Sequence, residues 1–175
     1  MGIRQTAKAV TCSLALVVSF FFADNEATKL SEEGLANIID CEGCQRNDYV
    51  DQAGVRTVGV GSTSNVSPNT TISNSQVAVR LRKDTQVAEQ CLARKVKVPL
   101  SQGEYDAYAS FIINVGCYGF STSTSYVILS EGGDRRKACY SMRRWNKITV
   151  NGKKVYNQGL ANRREKDIKL CIKQL

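Results

Sequence analysis

The sequence predicts an α+β fold in which a small antiparallel β lobe and a larger helical lobe are joined by one long helix. The β lobe is predicted from short extended runs with interleaved glycines between residues 47 and 61. Apolar residues that recur at helical spacing predict the long helix between Ser75 and Lys95. The chain of 175 residues is long enough for one globular unit of this kind behind a short N-terminal segment.

An apolar segment is the first predicted element. Arg4 and Lys8 precede residues 9–23, which carry no charge, and Asp24 and Glu26 follow them. This is the layout of an export signal whose positive end stays in the cytoplasm. Bulky phenylalanines stand where a cleavage site needs small residues, so we expect an uncleaved anchor; a cleaved signal peptide and a buried core helix are the alternatives. As a helix the segment spans about 22 Å, less than the hydrocarbon core of about 30 Å, and we expect it to leave the bilayer readily.

The first helix of the globular domain is predicted to begin after Ser31, its N-cap. We assign residues 1–27 to the anchor segment and residues 28–175 to the globular domain. Apolar residues of this helix recur at helical spacing, and Glu42 continues the same face. Partial burial there favours the protonated carboxyl that a general acid requires. The simpler alternative is a glutamate that ends a helix and pairs with a basic residue.

Asp51 and Thr57 are predicted to lie on neighbouring strands of a twisted hairpin or three-stranded sheet. We expect Asp51 to face the end of the helix that carries Glu42, and Thr57 to point into the same cleft. A glutamate and an aspartate on opposite sides of a sugar bond can hydrolyse it, because one protonates the leaving oxygen while the other activates water. The Thr57 hydroxyl can hold that water against Asp51.

Helices and one loop account for the rest of the predicted domain. Residues 62–76 form a polar loop, and the long helix follows it. A capping box at Ser101 and Glu104 begins the next helix, which Gly116 ends. Further helices are predicted at residues 123–130, at residues 135–145 and from about Leu160 to the C-terminus.

The composition restricts the possible chemistry. A net charge of +8 suits an anionic polymer or surface, so nucleic acid, phospholipid and bacterial cell wall are all candidate partners. An export signal would take the chain away from the genome, and we therefore expect no nucleic-acid partner. The chain contains no histidine, which excludes His-based triads, His-ligated metals and His acid–base catalysis.

Seven cysteines favour an oxidising compartment that the chain reaches by export. Cys12 lies in the apolar segment and the others lie in the domain. If Cys41 pairs with Cys44, the remaining cysteines allow three pairings, among which the sequence does not choose. A zinc site would need a second such pair or a histidine, and a redox-active dithiol would follow a strand rather than a helix. A disulfide that only staples a loop remains an alternative.

The line Glu42-x8-Asp51-x5-Thr57, in a glycine-rich frame that ends at Gly61, closely resembles the phage lysozymes, which are muramidases of glycoside hydrolase family 24. Shorter matches follow at residues 100–107, 110–116, 144–146 and 159–164. Together the matches cover nearly the whole chain from Leu30 to Arg164, and the spacing of the first three residues is the most specific among them.

The resemblance implies a lysozyme-like fold and hydrolysis of the β-1,4 bond between N-acetylmuramic acid and N-acetylglucosamine in host peptidoglycan, which lyses the host cell and releases virions. It makes Glu42 the acid, Asp51 the carboxylate that positions or activates water, and Thr57 its support. It also implies substrate contact by Asn114, a monomeric protein, and no cofactor or metal. Ser62 departs from the family pattern, since many relatives have a histidine there.

The N-terminal segment resembles that of the signal-anchor-release endolysins, which are tethered to the host inner membrane until they are released into the periplasm. The resemblance implies a single-pass anchor at residues 9–23, with the N-terminus in the cytoplasm and the C-terminus in the periplasm. It also implies that a Cys41–Cys44 disulfide holds Glu42 inactive in the tethered form. After release the Cys12 thiol would exchange with this disulfide, and we expect it to pair with Cys41.

Two other functions compete with this hypothesis. A lytic transglycosylase needs the acid but not a carboxylate that positions water, so Asp51 and Thr57 argue against it. A non-catalytic protein that binds the cell wall would use the same carboxylates only structurally.

Overall fold

Seven helices and two small antiparallel sheets make up the part of the chain that the computed structural model describes, residues 10–23, 27–51 and 54–175. The α+β class predicted from the sequence is therefore confirmed. In chain order the elements are α1 (Leu14–Ala23), α2 (Glu32–Glu42), β1 (Gln45–Val50), β2 (Arg56–Gly59), α3 (Asn74–Lys95), α4 (Gln102–Ser121), α5 (Thr124–Ser130), α6 (Arg135–Ser141), a 3₁₀ turn (Met142–Arg144), β3 (Lys147–Val150), β4 (Lys153–Tyr156) and α7 (Gln158–Cys171).

The chain forms two compact units that alternate along the sequence. The first contains the described residues within 1–26 and 42–83, and the second contains residues 27–41 and 84–175. Helix α3 runs from the first unit into the second. The long helix predicted between residues 75 and 95 is thereby confirmed. Helix α2 crosses the boundary at its last residue, Glu42.

The first unit is built on the antiparallel pair of β1 and β2. Tyr49 lies opposite Thr57, and the pairing is irregular between Gln45 and Tyr49. The segment at residues 70–72 extends the ladder, because the Asp48 amide donates to the Thr70 carbonyl at 2.9 Å. Buried aliphatic side chains of Val58, Ile72 and Val77 form the core of this unit.

The N-terminal segment packs into the first unit. Residues 10–12 pair with the start of β1, where the Arg46 amide donates to the Val10 carbonyl at 2.7 Å. Helix α1 buries Val17 and Phe21 completely, and the Arg82 guanidinium donates to the Phe21 carbonyl while it lies 5.1 Å from the centre of the Phe21 ring. Within the described ranges, no helix is both long and apolar enough to cross a bilayer.

Helix α4 is the centre of the second unit. Its side chains Tyr108, Phe111 and Phe120 are fully buried, and α7 packs along it. The predicted capping box is confirmed, since the Ser101 side chain accepts from the Glu104 amide and the Glu104 carboxylate accepts from the Ser101 amide. The predicted end at Gly116 is corrected to a kink, because that glycine has φ 74° and ψ 165° and the helix then resumes to Ser121.

The start of α2 is bound to α4 through Asp106. The predicted N-cap is confirmed, because the Ser31 hydroxyl accepts from the Gly34 amide at 3.0 Å. The Asp106 carboxylate in turn accepts from both the amide and the hydroxyl of Ser31. Gly34 has no room for a side chain, since a Cβ there would lie 2.4 Å from the Asp106 Cγ atom.

A second hairpin, formed by β3 and β4, was not among the predicted elements. Its turn contains Asn151 and Gly152, which both have positive φ. The dipeptide Asn-Gly is the strongest short-range sequence signal for a two-residue hairpin turn. The helix predicted at residues 135–145 is correspondingly shorter and ends at Ser141, where a 3₁₀ turn follows. Helix α7 begins at Gln158 because the Asn157 side chain caps it by accepting from the Leu160 amide.

Three disulfides join cysteines of the described chain. Two lie in the second unit and link Cys91 to Cys117 and Cys139 to Cys171, which selects one of the three pairings left open by the sequence. Each of these two disulfides closes a loop within the second unit. It lowers the conformational entropy of the unfolded chain and so stabilises the fold. The third disulfide belongs to the first unit and is described with the candidate site.

The buried phenol of Tyr108 predicts a loss of stability at alkaline pH. Burial raises the pKa of Tyr108 from 10 to about 12, so between these values the unfolded chain loses a proton that the folded chain keeps. The contribution of Tyr108 to the free energy of unfolding is therefore fully present below pH 10. It falls by about 2–3 kcal/mol as the pH rises through 12. In Tyr108→Phe this part of the pH dependence should disappear. Urea unfolding between pH 9 and pH 12 measures it.

That comparison is best made in a Cys41→Ala background, where no free thiol can reshuffle the disulfides at high pH. If both proteins lose stability equally over this range, the burial of Tyr108 is not its cause.

Candidate active site

Glu42 is the last residue of α2 and belongs to the first unit. Its side chain is half-buried, as the apolar face of the helix predicted. Gly43 follows with φ 74°, the left-handed conformation in which helices commonly end. The helix therefore stops where its glutamate can turn toward the β hairpin.

The Glu42 carboxylate lies directly against Gly61. A Cβ atom at Gly61 would lie 3.3 Å from the Glu42 Oε2 atom. The tight turn that presents this glycine is closed by Val58 and Ser62, whose amides and carbonyls exchange hydrogen bonds of 2.9 and 3.1 Å. Gly59 and Gly61 both have φ 68° in this turn. The interleaved glycines therefore serve two purposes, since they allow the turn and leave room for the carboxylate.

Asp51 lies one residue beyond the end of β1 rather than within the strand. Its carboxylate accepts from the Val55 amide at 2.8 Å, and its own amide donates to the Val55 carbonyl at 2.9 Å. The Gly54 amide donates to the Asp51 carbonyl at 3.0 Å. These bonds hold the Asp51 side chain within the turn that connects the two strands.

Thr57 is buried on β2, and its hydroxyl donates to the Val55 carbonyl at 3.1 Å. With its proton used in this way, the Thr57 oxygen is oriented as an acceptor for a hydrogen of water. Val55 therefore links the two predicted residues, since its amide binds Asp51 and its carbonyl binds Thr57.

Tyr49 is a residue of this site to which the sequence assigned no role. It lies opposite Thr57 in the β ladder, so the two side chains share a face of the hairpin. Burial raises the pKa of Tyr49 above its usual range, and the negative charges of Glu42 and Asp51 raise it further. Both carboxylates therefore act on one phenol. The available signal was the spacing of two residues between Tyr49 and Asp51, which suggests side chains on the same side of an extended chain.

The structure brings Glu42, Asp51 and Thr57 into one unit, around the β1–β2 hairpin. Asn114, the residue expected to contact substrate, is half-buried on α4 in the second unit, and its role stays a prediction.

Ser62 is buried and accepts a hydrogen bond of 3.4 Å from Arg80 in addition to its backbone pairing with Val58. Among the described residues, no group of three or more His, Cys, Asp or Glu side chains is arranged to hold a metal ion.

Cys12 pairs with Cys44, which corrects the expectation that it would pair with Cys41. The Cα atoms of Cys12 and Cys44 are 5.5 Å apart. The reason is the strand pairing of residues 10–12 with the start of β1, which brings Cys12 beside the residue that precedes that strand; the Cys12 amide donates to the Cys44 carbonyl at 3.4 Å. The Cys41–Cys44 disulfide is accordingly not formed in this state.

Within the described chain, Cys41 is the cysteine that remains a free thiol. It lies on α2, where its sulfur is 3.9 Å from the Asn37 Oδ1 atom. Burial raises the pKa of the Cys41 thiol, and the negative charge of Asp167 raises it further, while Arg163 and Lys166 oppose this effect. Cys41 is therefore a weakly reactive thiol in this conformation.

Comparison with known proteins agrees with the fold and the motif. The model of the family described as Phage lysozyme matches residues 39–167. The chain is 36% identical over 140 residues to the SAR-endolysin of Pseudomonas phage phiKMV, with 79% of this chain and 85% of that protein covered. It is 31% identical over 180 residues to the SAR-endolysin of Haemophilus phage HP1, with 93% and 95% covered.

A solved structure described as the active form of P1 phage endolysin Lyz matches with a TM-score of 0.84 at 26% identity, covering 94% of this chain and 96% of that one. The α+β architecture and this likeness define the class, a lysozyme-like glycosidase that acts as a muramidase. The chain belongs to the phage lysozyme family and, within it, to the SAR-endolysin subset, where SAR denotes signal-anchor-release. The resemblance seen in the sequence is confirmed.

Gly61→Ala should reduce the turnover rate because its Cβ atom would press on the Glu42 carboxylate. With Glu42 as the predicted acid, we expect kcat to fall about tenfold or more, since small displacements of a reacting group are costly. The substitution also strains the folded state by about 1–2 kcal/mol, because residue 61 has a positive φ that alanine adopts unfavourably. Initial rates on purified peptidoglycan, measured well below the melting temperature, give kcat.

Gly132→Ala is the matched control. It has φ 70°, and a Cβ atom there would meet no described atom within 4 Å. This variant should suffer the same strain while its kcat stays at the wild-type value. Equal losses of kcat in both variants would mean that strain, and not the contact with Glu42, explains the result.

Proposed function

We propose that this enzyme is an endolysin that hydrolyses the β-1,4 bond between N-acetylmuramic acid and N-acetylglucosamine in host peptidoglycan. Its lytic action on the wall would cause host lysis and virion release. The observation that carries this proposal is the grouping of two carboxylates, Glu42 and Asp51, around the face of the hairpin shared by Tyr49 and Thr57. The chain's own residues supply an acid, a base and a water-binding hydroxyl, so the reaction calls for no cofactor.

Each residue has a distinct part in the proposed reaction. Glu42 protonates the glycosidic oxygen as the bond to the leaving sugar breaks. Asp51 accepts a proton from the water that attacks the anomeric carbon, while the Thr57 oxygen accepts a hydrogen bond from the other hydrogen of that water. A water between sugar and carboxylate requires about 6.5–9.5 Å between the two carboxyl groups, and the reaction then inverts the anomeric centre.

The proposal includes a membrane-tethered stage before catalysis. Residues 9–23 would hold the chain in the host inner membrane, with the C-terminus in the periplasm, and would then be released. The packing of α1 into the first unit supports release, because this conformation gives residues 10–23 a place in the folded enzyme. The likeness to the active form of P1 phage endolysin Lyz agrees with assignment of this conformation to the released stage.

Disulfide exchange would activate the released enzyme. In the tethered form a Cys41–Cys44 disulfide would hold the residue between them, Glu42, away from its working position. The Cys12 thiolate would attack the Cys44 sulfur, form the Cys12–Cys44 bond and expel Cys41 as a thiolate, which then takes a proton. The presence of a Cys12–Cys44 bond and a free Cys41 thiol in this structure supports this direction of attack.

Glu42→Gln tests the catalytic assignment. Loss of the acid should lower the rate of peptidoglycan cleavage about 10²–10⁴-fold without loss of folding. The exposed Glu131→Gln is the control and should cleave at the wild-type rate. Full cleavage by folded Glu42→Gln would mean that the carboxylate is only structural. Mass spectrometry of the products adds a second criterion, since reducing ends indicate a hydrolase and 1,6-anhydro ends a lytic transglycosylase.

Cysteine variants test the switch separately from catalysis. Cys12→Ser should accumulate the Cys41–Cys44 disulfide and fail to lyse cells, because no thiol can displace it. The double variant Cys12→Ser with Cys41→Ser should regain lysis, since no bond can then restrain Glu42. Disulfide mapping of each protein checks the assignment. If Cys12→Ser lyses cells as well as the wild type, exchange by Cys12 is not the activation step.

A further inference from the structure

The β3–β4 hairpin presents a ribbon of exposed side chains that the proposed catalysis does not use. All residues of both strands, Lys147–Val150 and Lys153–Tyr156, are exposed. The two strands pair in regular antiparallel register around the turn at Asn151 and Gly152. A two-stranded ribbon is only marginally stable by itself. Contiguous exposed aliphatic side chains on such a ribbon are typical of a surface that binds a partner or a membrane.

The register separates the side chains onto two faces. Ile148 lies opposite Val155, and Val150 lies on the same face two residues along, where their side chains are 41%, 45% and 43% exposed respectively. One face, called the aliphatic face below, therefore carries these three residues together with Lys153, the partner of Val150. The other face carries Lys147, Thr149, Lys154 and Tyr156.

The surrounding sequence is strongly basic. Residues 135–164 contain ten Lys and Arg residues and no Asp or Glu. Three of these cations, Lys147, Lys153 and Lys154, belong to the hairpin itself. Several of the other cations are not free for a partner, since Arg135 and Arg143 pair with Glu104 and Glu165, and Arg163 and Arg164 are buried. The attraction for a polyanion therefore rests mainly on the three hairpin lysines.

We propose that the β3–β4 hairpin docks the enzyme onto an anionic phospholipid surface. The aliphatic face enters the boundary between headgroups and acyl chains, while the lysine side chains extend toward the lipid phosphates. Tyr156 suits the same interface, since its ring is apolar and its hydroxyl polar. Charge alone would fit an acidic wall polymer equally well, but a face of Ile and Val matches hydrocarbon rather than sugar.

This docking surface is distinct from residues 9–23 and does not depend on the catalytic assignment. Helix α1 also exposes apolar side chains, including Leu14 and Phe20. The test must therefore leave α1 unchanged and vary only the hairpin.

Vesicle co-sedimentation of the full chain in its Cys12–Cys44 form tests the proposal. Vesicles of phosphatidylglycerol with phosphatidylethanolamine provide the anionic surface, and phosphatidylcholine vesicles provide the neutral one. The variant I148S/V150S/V155S should partition onto anionic vesicles about tenfold or more weakly than the wild type, because three half-exposed aliphatic side chains are lost. V79S/V87S removes two exposed valines of α3 and should bind as the wild type does.

Each outcome decides for or against the proposal. Unchanged partition of the hairpin variant overturns it, and so does wild-type binding that is equal on neutral and anionic vesicles. If the variant in a Glu42→Gln background instead loses affinity for peptidoglycan sacculi while it binds vesicles normally, the partner is the wall polymer. Cleavage of soluble peptidoglycan fragments at the wild-type rate by I148S/V150S/V155S separates this result from any failure of the catalytic assignment.

A tryptophan at the hairpin tip gives a second measurement that does not rely on loss of binding. Val150→Trp fluorescence should be quenched by vesicles that contain brominated acyl chains, whereas Val79→Trp should not be. The single native tryptophan, Trp145, contributes equally to both proteins. Equal quenching of the two variants would overturn insertion of the hairpin.

Discussion

The hydrogen bonds between Asp106 and Ser31 are the constraint that fixes the start of α2, the helix whose last residue is the candidate acid Glu42. The Asp106 carboxylate accepts hydrogen bonds from Ser31 and from the Gln102 side chain, and it fills the space that a side chain at Gly34 would need. Helix α2 runs from this fixed start to Glu42, its last residue.

The other parts of the site are set by short-range contacts within the first unit. Val55 binds both Asp51 and Thr57, and the glycine turn places Gly61 against Glu42. The N-terminal segment pairs with β1 in the same unit, so this pairing and the Cys12–Cys44 bond both act on the strand that leads to Asp51. The proposed switch and the proposed catalytic groups thus share one small piece of structure, which is a physical basis for coupling membrane release to activity.

Local signals predicted much of this structure. The caps at Ser31 and Ser101 were recognisable because side-chain capping involves residues only three apart. The long helix and the β1–β2 hairpin followed from apolar periodicity and glycine spacing. Gly116 was misread as a helix end, since a glycine with positive φ can also produce a kink when buried side chains on both sides hold the helix together. The β3–β4 hairpin was missed although Asn151-Gly152 announced its turn, because its exposed strands lack the buried face by which strands are usually recognised.

The sequence by itself determined the family and the α+β class, and it predicted the three candidate residues Glu42, Asp51 and Thr57, because their spacing in a glycine-rich frame is a local property of the chain. Only the tertiary structure decided that Cys12 joins Cys44, that Tyr49 lies under the influence of both carboxylates, and that the Glu42 carboxylate rests on Gly61. These contacts join residues brought together by strand pairing and helix packing. The order of residues along the chain does not show which of several chemically equivalent partners will come into contact. Cys41 and Cys44 were equivalent candidates in the sequence, and strand pairing brought Cys12 to Cys44.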